Sequence, residues 1–252
     1  MEMKELVFVV VICLSSFVAC LGDTNPSSEA LLLRAPPKRQ PGFKYFLLAL
    51  QWPNQYCSTT RCNPPIPTQD FTIHGLWPQA KDGAVNCKTK EVLTDETLEE
   101  LRDNYELLTY WPDLKNAEDF ESSKKFWRDE WKKHGTCSAN KFKALDYFQK
   151  SIYLAKMYSD KISQALKDRG VKADGGSYRQ LDILHAVVEA TGSVPSLSLT
   201  DTGSGKSLAE IRLCVKDDAL TLCDNTFIKF AGPPAVSPPP RSTGWVSYAL
   251  EQ

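Results

Sequence analysis

Histidine is scarce in this chain, with three residues in 252. Net positive charge is absent too, the formal balance being -1. No segment repeats, and no N-x-S/T glycosylation pattern survives, because Pro26 spoils Asn25-Pro26-Ser27. The uncharged, mostly apolar run from Leu6 to Leu21 falls short of the roughly 20 residues that a spanning helix needs. Each shortage excludes something. A zincin needs two histidines four apart around a glutamate, which this chain does not have, and the ligand count speaks against a catalytic metal. Without an excess of lysine and arginine there is no global field to gather a polyanion. Any such affinity must be local, which excludes a coat-like or histone-like binder.

What is present begins with a targeting signal. Lys4 precedes the apolar run, and small residues around Ala19 and Gly22 place a cleavage site near Gly22–Asp23. Removing residues 1–22 takes away one of the 30 basic and two of the 31 acidic residues, leaving zero net charge. Six of the eight cysteines remain, at positions 57, 62, 87, 137, 214 and 223. An even number in an exported chain predicts bridges rather than zinc, although sequence alone allows about 15 pairings. Proximity favours Cys57–Cys62 and Cys214–Cys223, which leaves Cys87–Cys137.

Composition divides the rest. Residues 23–42 are rich in proline, serine and charge and are expected to form a flexible arm. The main domain is expected over 43–231, followed by a Pro-rich tail over 232–252 that is expected to stay out of any sheet. "FKYFLLALQW" (43–52) reads as a buried strand closed by Pro53, and a turn-rich loop with Cys57 and Cys62 follows. "FTIHGLW" reads as a second strand, and "AEIRLCVK" and "LTLCDNTFIKF" as a strand pair. Helical spacing appears over 94–108, through Leu145, Phe148, Ile152, Ala155, Ile162 and Leu166 up to Gly170, and through Leu181, Leu184, Val187 and Val188 up to Gly192. The fold class is α+β, a central antiparallel sheet with several packed helices, stabilised by disulfides.

Two stretches carry chemistry. In "FWRDEWKKHGTC" (126–137), taken as a helix, Glu130, Lys133 and His134 are i, i+3 and i+4 and share a face. A carboxylate, an ammonium and an imidazole together can hold a phosphate and move a proton near neutral pH. The competing reading is a solvated face with incidental charges. In "FTIHGLWP" (71–78), His74 lies in an apolar strand, where histidine is usually a hydrogen-bonded core residue. Here Gly75 lets backbone approach a ligand, and Trp77 offers a flat ring for a base. A Cys87–Cys137 bridge would bring the two stretches together. His185, in an amphipathic helix, is assigned a structural or surface role.

The two stretches resemble the paired signature segments of the ribonuclease T2 family, in its plant branch of S-ribonucleases and S-like ribonucleases. The resemblance covers roughly 43–230 and includes "LQWP", "YWPDL" and "EIRLCV". It implies endonucleolytic cleavage of single-stranded RNA without metal or cofactor, through a 2′,3′-cyclic phosphate. DNA, which lacks the 2′-OH nucleophile, is spared. By position, His134 resembles the general base and His74 the general acid. Lys133 and Glu130 match the groups that steady the phosphorane. Trp77 resembles a base-stacking platform, and Gln51, Leu114, Lys115 and Phe126 match substrate-lining positions. Asp129 stands where many members carry a phosphate-binding histidine, and an i,i+4 pairing with Lys133 is expected to weaken turnover. That departure also supports an alternative, an inactive storage or defence homologue. Neutral charge and the missing glycosylation pattern favour the S-like type. A secreted monomer without membrane attachment is expected, with the vacuole as a second destination suggested by the terminal "GWVSYALEQ".

Overall fold

The computed structural model describes residues 42–216, apart from 68, 69, 81, 82, 86, 88 and 204, together with 222, 223 and 245–247. The expected signal peptide, nearly all of the arm and most of the tail lie outside the described residues. In chain order the elements are β1 (Tyr45–Gln51), α1 (Pro53–Thr59), β2 (Thr72–Ala80), β3 (Gly83–Ala84), α2 (Asp95–Tyr105), α3 (Leu107–Tyr110) and α4 (Phe120–Lys133). A 3₁₀ turn (Gly135–Ser138) is followed by α5 (Ala144–Asp168), β4 (Ser177–Arg179), α6 (Gln180–Thr191), β5 (Ser196–Asp201), β6 (Lys206–Lys216) and β7 (Trp245–Ser247).

β1 lies between β2 and β6 and pairs antiparallel with both. Successive strand residues face opposite sides of a sheet, and the register sorts them here. Phe46 lies between Pro78 and Val215, Leu48 between Leu76 and Leu213, and Leu50 between Ile73 and Ile211. This is the core face, and α5 covers it. Tyr147 donates its hydroxyl to the Leu76 carbonyl at 2.5 Å, and Ser159 donates to the Phe71 carbonyl at 2.6 Å. The opposite face carries Leu47, Ala49 and Gln51 of β1. Its rows run Trp77–Leu47–Cys214, Gly75–Ala49–Arg212 and Thr72–Gln51–Glu210. That second face builds the site.

The structure is α+β with a central antiparallel sheet and three disulfides, Cys57–Cys62, Cys87–Cys137 and Cys214–Cys223. The helix expected over 94–108 is broken at Glu106, whose φ of 57° ends α2 so that Leu107 can turn into the core. Pro53 closes β1 as expected but also opens α1, because its fixed φ suits a first helical position and its missing N–H costs nothing there. The expected stripe on α6 is displaced. Leu181 is 53% exposed; Val187 is buried as expected, but its buried companions are Ile183 and Ala186. The expected pairing after β6 is seen as a single bridge of Leu222 opposite Val215; Cys223 follows outside any strand, and residues 224–230 lie outside the described residues. The tail was expected to avoid the sheet, yet its Trp245–Ser247 segment, beyond the prolines, forms β7. It pairs antiparallel with β4 and parallel with β6.

Thr94 caps α2, its hydroxyl oxygen accepting the Thr97 amide at 3.3 Å. Thr94→Ala is expected to cost about 1 kcal/mol of stability, the usual value of such a cap, readable as a lower urea midpoint at unchanged slope.

Candidate active site

His74 owes its position to an irregularity. The β1–β2 register shifts between Ala49 and Leu50, so that Ala49 faces Gly75 and Leu50 faces Ile73. His74 is left without a partner on β1, and such a bulge re-aims a side chain. Its backbone carbonyl accepts the Trp111 indole N–H at 3.2 Å, and its Nδ1 meets Glu210 Oε1 at 2.5 Å. The ring keeps 35% of its side-chain surface exposed, so solvent and a ligand can reach it.

α4 delivers the second histidine. Asp119 caps the helix by accepting the Ser122 amide at 3.0 Å, and Phe120, Ser123, Trp127 and Trp131 form its buried stripe. Glu130 belongs to that stripe and is only 7% exposed. A carboxylate on a buried apolar face is expensive, so Glu130 is a candidate functional group and not a packing choice. Its Oε2 accepts the Trp77 indole N–H at 3.2 Å. Burial holds its pKa above the usual carboxylate value, against the opposing pull of His74, the Trp77 hydrogen bond and Lys133.

The helix ends one residue earlier than the shared-face expectation required. Lys133 is the last helical residue and is exposed, and His134 is the cap, its N–H donating to the Glu130 carbonyl at 2.9 Å. The next residue must be glycine on steric grounds, since a Cβ at Gly135 would run into the Trp131 ring. His134 is partly exposed, with its Nδ1 buried. Burial, then the positive charge of Lys133, lowers its pKa to about 4, although the Val85 carbonyl pulls the other way.

Trp77 joins the two halves. Its ring centroid lies 5.0 Å from that of His74, edge on, and 6.0 Å from that of His134. The two imidazoles, 60 residues apart in the chain, therefore flank one indole. The Arg212 guanidinium lies 5.2 Å from the same ring centroid. A candidate base platform is thus already contacted by a cation.

Beside His74 opens a cavity of about 360 Å³. It is lined by the predicted substrate residues Gln51, Leu114, Lys115, Phe126 and Asp129, with Tyr56 and Asp113 added. Asp129 does not pair with Lys133 as expected. It pairs one helical turn in the other direction, with Lys125 at 2.5 Å, because both side chains reach over the cavity. Lys133 thus keeps its charge for the Glu130–His134 end of the helix. Glu210 and Arg212 were not singled out from the sequence. They are i and i+2 on a strand and share the site face, a signal present in "EIRLCV" but unused.

Residues 43–225 match the model of the ribonuclease T2 family. Ribonuclease 1 of Arabidopsis thaliana is 36% identical over 180 residues, which cover 69% of this chain and 76% of that protein. A solved structure titled RNase NT in complex with 5′-AMP superposes with a TM-score of 0.65 at 28% identity, covering 83% of this chain and 98% of that one. Ribonuclease MC1 from the seeds of bitter gourd superposes at 0.63, also at 28% identity, covering 73% and 95%. The chain belongs to the ribonuclease T2 family.

Proposed function

We propose that this chain is an endoribonuclease cleaving single-stranded RNA by metal-independent transphosphorylation. His134 takes the proton of a 2′-OH, and the freed oxygen attacks the adjacent phosphorus. The bond to the 5′-oxygen breaks, and His74 protonates that leaving oxygen. The products are a 2′,3′-cyclic phosphate and a 5′-hydroxyl. The placement of both imidazoles against one indole carries this reading. A lowered pKa suits His134 to accept a proton, since the free base persists in mildly acid solution. A raised pKa lets Glu130 stand beside an anionic phosphate with less repulsion, while Lys133 supplies positive charge to the phosphorane. The cavity beside His74 suits a base of the leaving nucleoside, and RNase NT, a similar structure, was solved in complex with 5′-AMP. The N-terminal signal and the three bridges favour entry into the secretory pathway, where thiols oxidise.

The test is RNA degradation in excess EDTA with identification of the ends. Cyclic phosphate products from the parent, lost in His134→Ala, support the assignment. An EDTA-sensitive activity, or one that His134→Ala retains, overturns it. Asp129 tunes this activity rather than deciding it. Its carboxylate lines the substrate cavity, so Asp129→His is expected to raise kcat/KM on a dinucleotide about three- to fivefold, the worth of just under ~1 kcal/mol for one partly solvated charge. An unchanged kcat/KM would refute it.

A further inference from the structure

We infer that Glu210 is the positioning residue for His74, and that Arg212 holds Glu210 in place. This rests on the assignment of His74 as general acid. Neither residue of β6 is needed for packing on the core face; both stand on the site face, opposite Gln51 and Ala49. Glu210 is buried and spends both carboxylate oxygens on the site. Oε1 meets His74 Nδ1 at 2.5 Å, and Oε2 accepts from Arg212 Nε at 2.8 Å and lies 2.6 Å from Arg212 Nη2. Arg212 is held in turn by Ser198, whose hydroxyl oxygen accepts from Nη2 at 3.3 Å, and by the Trp77 ring.

The chemistry of the arrangement follows from which nitrogen bears which proton. An ionised carboxylate can only accept, so the His74 Nδ1 facing it must carry hydrogen. The proton delivered to the leaving oxygen is then held on Nε2, at the other end of the ring, and the ring cannot flip without breaking the contact. Burial works against ionisation of Glu210, but His74 and Arg212 outweigh it and hold its pKa below the usual carboxylate value. The row Gly75–Ala49–Arg212 explains how a β2 histidine meets a β6 glutamate across an intervening strand. Ala49, the β1 residue in that row, has almost no side chain to stand in the way.

An acid-positioning role predicts a loss that depends on the leaving group. A departing nucleoside 5′-oxygen needs protonation, whereas 4-nitrophenolate leaves without it. Each variant is therefore measured on a dinucleoside phosphate and on the matching nucleoside 3′-(4-nitrophenyl phosphate). Glu210→Ala is expected to lower kcat on the dinucleotide by roughly 30- to 100-fold with little change in KM, the size of losing one hydrogen bond to a charged group. On the nitrophenyl ester the loss stays within about threefold, because that step needs no acid. Glu210→Gln keeps an acceptor for Nδ1 without the charge, and is expected to give the same split at about a third to a tenth of the size. It carries the test should the alanine variant fail to fold. His74→Ala serves as the reference. A selective loss in His74→Ala together with an even loss, or none, in the Glu210 variants overturns this inference alone. An even loss in His74→Ala overturns the acid assignment itself.

Discussion

His134→Ala is expected to lower kcat/KM on RNA by about 10³- to 10⁴-fold, the upper range for removal of a positioned general base. Neither of its charged neighbours on α4 can substitute. Lys133 is a cation at neutral pH, and Glu130 is fixed by the Trp77 indole N–H and largely buried. Burial and Lys133 depress the imidazole pKa to about 4, so the acid limb of the parent's pH profile is expected near that value rather than near 6.5. The same shift affects stability. The unfolded chain binds a proton at His134 as pH falls through about 6.5, while the folded chain resists until about 4. Stability therefore declines on acidification across that window. Denaturation of parent and His134→Ala at pH 7 and pH 4.5 checks this, the variant showing the shallower decline.

Gly75→Ala is the second large effect. The added methyl has no place to go, because an ideal Cβ at this position collides with both the Trp77 indole nitrogen and the Glu130 carboxylate. The two groups that would have to move are the ones hydrogen-bonded to each other between the histidines. A loss of about 100-fold or more in kcat is expected, since a misplacement near 1 Å costs that much. The accompanying overpacking is expected to cost ~2 kcal/mol of stability. Crystallisation is unnecessary: far weaker turnover in a chain that still unfolds cooperatively settles the matter. Turnover within threefold of the parent would mean that the indole and carboxylate move freely, contrary to the site described above.

How much of this was legible beforehand depends on the kind of interaction. The strands over 45–51 and 72–80 and the long helix over 144–168 follow from apolar runs and 3.6-residue spacing, which are local properties. The bridge partners followed from proximity and remainder. The His74 bulge did not, since a register shift belongs to two strands at once and leaves no mark on either. Nor did the pairing of Asp129 with Lys125 instead of Lys133, because both partners are four residues away and only the cavity distinguishes them. Glu210 was missed for a related reason. Its partner lies 136 residues earlier, and a lone acidic residue in an apolar strand is equally compatible with an exposed edge. Glu130 was singled out by its spacing to Lys133 and His134, and its burial follows from its place on the apolar stripe of the same helix.

The Cys87–Cys137 bridge separates the site by origin. Asp113, Phe126, Glu130, Lys133 and His134 lie inside the 50-residue segment that it closes, while Gln51, Tyr56, His74, Trp77, Glu210 and Arg212 lie outside it. The Cys87 amide also donates to the Lys133 carbonyl at 3.0 Å, one residue before His134. Recombinant material made in a reducing cytosol would therefore lack the one covalent tie between the segment that carries His134 and the strand region that carries His74, leaving their mutual placement to packing alone. Expression host and oxidant thus belong among the variables of any activity measurement on this chain.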